Sequence, residues 1–217
     1  MLNLDSPWQI VAIVAAVGLL RVMYTVWKDA PSRALMLELA DSLLIAFALV
    51  FFLVKPFVVA AFYIPSESML PTLRPNDRVL VNKFILHLTA PRRQDIIVFE
   101  APREAVGDGV QKDFIKRLIG LPGDTVEVRS YDGVYVNGVK LDEPYIDALH
   151  MADYDFPVDK EGRRLPPHKV PLGHYLVMGD NRNDSNDSHR WGDLPAQNVL
   201  GKAMVIFWPP GRTRLAR

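Results

Sequence analysis

The stretch Val134-Tyr135-Val136-Asn137-Gly138-Val139-Lys140-Leu141 decides the fold of the larger part of this chain. Asn-Gly stands between two short runs rich in β-branched and aromatic residues, and both of its residues tolerate the positive φ of a type I′ turn. Such a turn joins two neighbouring antiparallel strands. The stretch therefore predicts a β-hairpin and, with it, an antiparallel sheet.

Short strand-like runs recur on both sides of this hairpin, separated by turn residues. No segment of twelve residues with helical periodicity follows residue 64. The polar, proline-containing stretch 150–171 is expected to be a long surface loop or an excursion from the main sheet. The predicted fold class of 64–217 is mainly β, an antiparallel and partly barrel-like domain, with strands at 78–84, 95–99, 114–119, 125–129, 134–136, 139–141, 175–178 and 202–208.

The composition removes several classes of function. The 217 residues carry equal numbers of acidic and basic side chains, so a nucleic-acid partner held through phosphate contacts is not expected. The chain has no cysteine, which excludes disulfides, thiol nucleophiles and cysteine-ligated metals. Its five histidines are scattered without a paired spacing, so a histidine-ligated zinc is not predicted either.

The first 63 residues hold two apolar segments, at 8–27 and about 43–63. A helix of about 20 residues rises about 30 Å, which matches the core of a bilayer. A pair of buried amphipathic helices is the alternative, but 10–20 and 43–54 lack the polar stripe of a half-exposed helix. Residues 1–63 are therefore predicted to be a membrane anchor with one or two transmembrane helices.

Basic residues set the predicted orientation of this anchor. Lys28 and Arg33 lie between the two segments, whereas residues 1–7 carry no basic side chain. By the positive-inside rule the short loop 28–35 is cytoplasmic, and everything after Tyr63 lies outside. The same orientation follows if only the second segment crosses the membrane.

Two segments contain candidate groups for nucleophilic catalysis. Ser66 and Ser68 lie in the proline-bounded stretch 65–73, and Lys116 lies in the apolar run 114–119. A serine hydroxyl needs a base, and a lysine can serve if it is neutral, which desolvation favours by lowering its pKa by about 3–5 units. One serine would attack, and the other could join a backbone N–H in an oxyanion hole. An exposed strand lysine and an ordinary serine turn are the simpler interpretations.

The serine segment follows the apolar run 56–64 without a polar linker, which predicts a position close to the bilayer surface. A membrane-tethered substrate would benefit from that position, whereas a soluble one would not.

A third polar cluster spans 179–192 and is dense in side-chain oxygens. A calcium loop is one interpretation, but the EF-hand spacing, its glycine and its terminal glutamate are missing. A turn network that supports an active site fits better. Within it, Ser185 or Ser188 could hydrogen-bond a neutral lysine and orient it.

Together these segments resemble the bacterial type I signal peptidases, which use a Ser-Lys dyad. The similar pieces appear in the family's order, over about residues 40–210, downstream of the predicted anchor. They are Pro-Ser-Glu-Ser-Met-Leu-Pro-Thr-Leu (65–73), Asp-Arg-Val-Leu-Val-Asn-Lys-Phe (77–84), Lys-Arg-Leu-Ile-Gly-Leu-Pro-Gly-Asp (116–124) and Gly-Asp-Asn-Arg-Asn-Asp-Ser (179–185).

The resemblance implies a role for each matching residue. Ser68 is the expected nucleophile and Lys116 its general base, while Ser66 and the Ser68 N–H form the oxyanion hole. Ser185 is expected to position the lysine. The residues that brace the site would be Arg117, Asp180 and Asp187, and those that line two shallow pockets for small side chains would be Phe62, Ile64, Met69, Leu73, Phe114 and Ile115.

Three positions depart from the family's pattern. Glu67 stands where glycine is frequent, Asn183-Asp184 reverses the usual order, and His189 stands where arginine is common. The last departure suggests that a histidine replaces an arginine as the partner of Asp187. None of the three touches Ser66, Ser68, Lys116 or Ser185.

The resemblance implies a membrane-bound endopeptidase that removes the signal peptides of exported preproteins after a small-x-small motif. Its expected partners are these signal peptides and membrane lipid. It would work without metal or cofactor, on the extracytoplasmic face of the plasma (inner) membrane. Soluble Ser-Lys self-cleaving repressors share the dyad but lack the predicted anchor. A catalytically silent, membrane-anchored β module that binds exported chains is the alternative from another class.

Overall fold

A computed structural model describes residues 18–19, 21–22, 25, 33–49, 59–107 and 109–217. The chain divides into two compact units, Met1–Val58 and Val59–Arg217.

The described part of the first unit contains helix α1, Arg33–Ala48. Arg21 forms an ion pair with Asp41 of this helix. Among the described residues, every helix is too short or too polar to cross a bilayer.

The predicted anchor segments coincide only in part with these elements. Most of the segment 8–27 lies outside the described residues, as do 28–32 of the loop and 50–58 of the second segment. Residues 33–35 already belong to α1, so the structure corrects the predicted end of the 28–35 loop. Arg33-Ala34-Leu35 consists of good helix formers, which favours a helix over a loop at these three residues.

The described residues of the second unit form twelve strands. They are β1 Val59–Tyr63, β2 Arg78–Asn82, β3 Ile96–Glu100, β4 Asp113–Gly120, β5 Thr125–Arg129, β6 Gly133–Val136, β7 Val139–Lys140, β8 His168–Lys169, β9 His174–Met178, β10 Leu194–Pro195, β11 Val199–Trp208 and β12 Arg214–Leu215. Two short α-helices accompany them, α2 Ile85–Leu88 and α3 Ser188–Trp191.

The strands form two antiparallel sheets. The larger has the order β1-β2-β11-β3-β4-β9-β10, with β12 paired to β11, and the smaller has the order β7-β6-β5-β8. Within the described strands the larger sheet is open, with β1 and β10 at its edges. The prediction of a mainly β, antiparallel domain is confirmed, although it named neither the two sheets nor the short strands β8, β10 and β12.

The hairpin predicted at residues 134–141 is present. Asn137 and Gly138 have φ values of 54° and 79°, as a type I′ turn requires, and Val136 pairs with Val139 across the turn.

The domain begins earlier than predicted. Val59–Tyr63 was expected to end the second membrane segment, but it pairs with β2 from Val59 opposite Asn82 to Tyr63 opposite Arg78. Hydropathy alone cannot distinguish a membrane helix from a β-strand here, because the run is as apolar as a membrane helix and also rich in strand-forming residues.

The central strands bury residues on both faces, which gives the domain its core. In β4 and β9, Leu118 and Val177 join one apolar cluster, while Ile119 and Leu176 join a second that also packs on the smaller sheet. A third cluster holds the segment between β1 and β2 and contains Ile64, Met69, Leu73, Val79, Val81, Ile96, Val98, Ala203 and Ile206.

The stretch 150–171 is an excursion that packs against the smaller sheet. Ala152 and Val170 are buried in the second cluster, and Phe156 forms an antiparallel bridge with Val128 of β5.

Candidate active site

The segment between β1 and β2 folds back on itself and presents Ser68. The Ile64 N–H donates to the Asp77 carbonyl at 3.0 Å, and the Asn76 N–H donates to the Ile64 carbonyl at 2.9 Å. The Leu73 N–H donates to the Met69 carbonyl at 2.8 Å, which closes a turn just after the serine. The buried side chains of Met69 and Leu73 anchor this turn in the core and fix the backbone at Ser68.

Lys116 reaches Ser68 from the centre of the larger sheet. It lies in β4 opposite Ile97 of β3, and only 4% of its surface is exposed. Its Nζ donates to Ser68 Oγ at 2.7 Å and to the Ile115 carbonyl at 3.1 Å. The Phe114 ring lies beside it, with the ring centroid 5.5 Å from Nζ. The sheet thus brings together an amine and a hydroxyl that are 48 residues apart in the sequence.

Burial changes the acidity of this amine. Loss of hydration lowers the pKa of Lys116 from 10.5 to about 8, against the opposing effect of the carboxylates of Asp187 and Asp180, which favour the charged form. At that pKa about one tenth of the amines are neutral at pH 7 and about half at pH 8. A substantial population can therefore accept a proton near neutral pH.

The hydroxyl of Ser66 lies on the same side of the turn, with its Oγ 3.3 Å from Ser68 Oγ. Both serines and Lys116 line a cavity of about 540 Å³. Its apolar lining includes four of the residues predicted to contact substrate, Phe62, Ile64, Phe114 and Ile115.

The other two predicted pocket residues lie elsewhere. Met69 and Leu73 are fully buried in the core cluster that contains Ile64 and Val79, so they support the serine turn from beneath. Because both are apolar and adjacent to the serine motif, the sequence could not distinguish a core position from a pocket position.

A larger cleft of about 970 Å³ lies on another side of the domain. Its lining includes Arg74, Arg212 and Arg214 but neither Ser68 nor Lys116, so the dyad opens into the smaller cavity and not into this cleft.

Arg117 and Asp180 form a buried ion pair behind the site. Arg117 Nε and Nη2 donate to the two Asp180 oxygens at 2.7 and 2.6 Å. Arg117 Nη1 also donates to the Gln94 carbonyl at 2.9 Å, and its guanidinium stacks on the Tyr145 ring at 3.6 Å. This fork connects β4 with the start of the 179–192 cluster, which fits the predicted bracing position.

Backbone of the 179–192 cluster contacts the serine turn directly. The Asn181 N–H donates to the Ser68 carbonyl at 3.1 Å. A Cβ on Gly179 would lie 2.3 Å from both Ser185 Oγ and the Ser68 carbonyl oxygen, so only glycine fits there. The close approach locks the backbone of the serine in place.

Ser185 differs from the expectation that it hydrogen-bonds the lysine. Its Oγ is buried between Gly179 and the Asp187 carboxylate, whereas Lys116 Nζ donates to Ser68 and Ile115. Ser188 serves the fold, because its Oγ accepts from the Val177 N–H at 3.0 Å.

Asp187 is fully buried next to this network. One of its oxygens accepts from the Gly179 N–H at 2.8 Å, and the other lies 2.7 Å from His189 Nδ1. His189 is therefore a side-chain partner of this carboxylate.

Sequence reasoning missed a second buried ion pair, between Arg182 and Glu143. Arg182 Nη1 donates to Glu143 at 3.1 Å, and Arg182 Nε donates to the Gly179 carbonyl at 3.1 Å. Tyr145 OH also donates to Glu143, at 2.8 Å. Arg182 belongs to the polar cluster 179–192. Its partner Glu143 is 39 residues away in the sequence, and no pattern in the residues around Arg182 indicates this pairing.

Acidic and histidine side chains of the described residues form no group of three or more that could hold a metal ion. The chemistry available at this site is a hydroxyl beside a buried amine, with a second hydroxyl nearby.

Comparison with known proteins agrees with this geometry. Residues 36–208 match the family model described as signal peptidase, peptidase S26. The chain is 49% identical over 162 residues to a signal peptidase I of Leptolyngbya laminosa, covering 73% of each protein. It is 44% identical over 188 residues to a probable signal peptidase I-2 of Synechocystis, covering 87% of this chain and 80% of that one.

Among solved structures, a crystal structure of a signal peptidase I from Enterococcus faecalis matches with 36% identity and a TM-score of 0.41, covering 52% of this chain and 97% of that one. The family model spans most of the chain and the two relatives cover more than two thirds of it. The chain belongs to the signal peptidase family, peptidase S26.

Proposed function

We propose that this protein is a membrane-bound serine endopeptidase that removes signal peptides from exported preproteins. The observation that carries the proposal is the 2.7 Å contact between Lys116 Nζ and Ser68 Oγ inside a cavity, with the amine almost completely buried. Membership of the signal peptidase family supplies the substrate class.

In the proposed reaction Lys116 acts as the base. Its neutral amine takes the proton of Ser68 as Oγ bonds to the scissile carbonyl carbon. When the tetrahedral intermediate collapses, the C–N bond breaks and Lys116 returns the proton to the leaving amine. Water, deprotonated by Lys116, then attacks the carbonyl carbon of the acyl-enzyme ester. The C–O bond to Ser68 breaks, and Lys116 returns the proton to Ser68 Oγ, which releases the signal peptide as a carboxylic acid.

Negative charge develops on the carbonyl oxygen during both steps. We assign its stabilisation to the Ser66 hydroxyl and the Ser68 backbone N–H. The proximity of the two hydroxyls, at 3.3 Å, supports this role for Ser66.

Selection of small side chains would come from the cavity walls. Phe62, Ile64, Phe114 and Ile115 are apolar and occupy space next to Ser68, so a larger substrate side chain would collide with them. This supports cleavage after a small-x-small motif.

We also propose that the part before the β domain anchors the enzyme in the plasma (inner) membrane. Two apolar segments support this, with the second now ending before Val59 because β1 belongs to the β domain. The positive-inside rule applied to Lys28 and Arg33 supports an extracytoplasmic active site.

The test is cleavage of a purified preprotein by the full chain in detergent. We expect the parent to release the mature protein and both Ser68→Ala and Lys116→Ala to abolish release. Matched controls are Ser130→Ala and Lys140→Ala, which change the same residue types away from the cavity. A preprotein with leucine in place of the small residue before the scissile bond should remain uncut.

Cleavage by both dyad variants at the parental rate would refute the assignment of Ser68 and Lys116. An inert parent that still binds preprotein would instead favour the catalytically silent module. Protease accessibility of the β domain from each side of sealed vesicles tests the topology separately.

A further inference from the structure

The buried carboxylate of Asp187 lies against the imidazole of His189. Its oxygens accept from the Gly179 N–H at 2.8 Å and from the His189 N–H at 3.2 Å, and His189 Nδ1 lies 2.7 Å from the second of these oxygens. Asp187 is also the carboxylate with the largest electrostatic effect on Lys116. The imidazole therefore controls a charge that acts on the proposed base.

The contacts of His189 assign the roles of its two ring nitrogens. Arg190 Nε carries a proton and lies 3.2 Å from His189 Nε2, so Nε2 must accept. In that tautomer Nδ1 carries the hydrogen and donates to Asp187. The imidazole thus lies between a guanidinium and a carboxylate, and polarisation along such a chain strengthens both hydrogen bonds.

Tyr154 fixes the plane of this imidazole. Its ring stacks on His189 with a centroid separation of 4.5 Å and an interplanar angle of 23°. The ionisable groups that face the imidazole are therefore Asp187, Arg190 and Tyr154, and Tyr154 is itself influenced by Arg182 and Asp153.

We propose that His189, with Arg190 behind it, is a positioning residue that holds Asp187 and partly offsets the negative charge that Asp187 exerts on Lys116. This rests on the proposed function, in which Lys116 is the base. Without the Nδ1–H donor, the Asp187 charge would act on Lys116 more strongly and would favour the protonated, unreactive amine.

The test is the pH dependence of kcat/KM for preprotein cleavage by the full chain. In the parent, kcat/KM falls at low pH as Lys116 becomes protonated, and this part of the profile is its acidic limb. His189→Ala is expected to move the acidic limb to higher pH by about 0.5–1 unit, which is less than the shift that a full charge nearby would cause. The rate at pH 7 then falls about 3- to 10-fold and recovers at pH values above the limb. Arg190→Ala should move the limb in the same direction by less, and His189→Arg should keep it at or below its original position.

His168→Ala is the matched control. His168 also contacts a carboxylate, Asp193, at 2.9 Å, but the carboxylates that favour the charged form of Lys116 are Asp187 and Asp180. Its removal should leave the limb in place even if the protein becomes less stable.

An equal loss of rate at every pH in His189→Ala, with no movement of the limb, would overturn the inference and leave His189 a structural residue. The same movement of the limb in His168→Ala would also overturn it. Failure of the dyad itself is recognised differently, by cleavage that persists in Ser68→Ala and Lys116→Ala.

Discussion

Replacing Lys116 by methionine is expected to stabilise the protein while abolishing cleavage. The lysine is 4% exposed, and burial lowers its pKa from 10.5 to about 8. Folding therefore opposes protonation of an amine that the unfolded chain protonates freely. Methionine has a similar length and no charge to desolvate.

The magnitude follows from the same values. A difference of about 2.5 pKa units, at about 1.4 kcal/mol each, corresponds to about 3 kcal/mol of lost stability at pH 7. Because the folded pKa lies below the unfolded one, the unfolded chain binds more protons between about pH 8 and 10.5. Stability is lost as the pH falls through this window, and the loss is complete below pH 8.

The assay is the denaturation midpoint of the parent and of Lys116→Met from pH 7 to pH 11. We expect the variant to be more stable at pH 7 and the difference to shrink toward pH 10.5. Lys140→Met serves as the control, since Lys140 is exposed and its removal should change little. A variant that is less stable at pH 7, or a difference independent of pH, would refute the argument that the lysine is strained by burial.

Two further predictions concern the groups around the dyad. Ser66→Ala should lower kcat by about 100- to 1,000-fold, because its hydroxyl is proposed to stabilise the oxyanion. The melting temperature should stay unchanged, since Ser66 is exposed. A melting temperature that falls in parallel with the rate would contradict this role. Asp180→Ala should cost about 3–5 kcal/mol in unfolding free energy, because it leaves the Arg117 guanidinium buried without its partner. Arg117→Met combined with Asp180→Leu should recover part of that loss in a denaturant titration, and fully additive losses would show that the pair is not coupled.

Local sequence patterns predicted much of the β domain because its strands are short and bounded by turn residues. The Asn137-Gly138 turn and the strand 125–129 could be located from a few neighbouring residues. Strand β1 could not, since an apolar run preceding the serine turn fits a membrane helix and a sheet edge equally well.

The candidate site shows the same division. Its serine and lysine lie in recognisable motifs, and the resemblance to a family predicted that they act as a pair. In the structure the two side chains are in contact. The pocket assignments of Met69 and Leu73 failed because apolar character does not reveal which way a side chain turns. The Arg182–Glu143 pair depends on the packing of distant loops, which no local pattern encodes.

The most direct test of the account is a titration of the Lys116 side chain by NMR in the full protein. The resonance would be assigned by its disappearance in Lys116→Met. We expect a pKa of about 8 and a titration that changes when Ser68 is replaced by alanine, because the two groups are in contact. A pKa near 10.5, unaffected by that replacement, would contradict it.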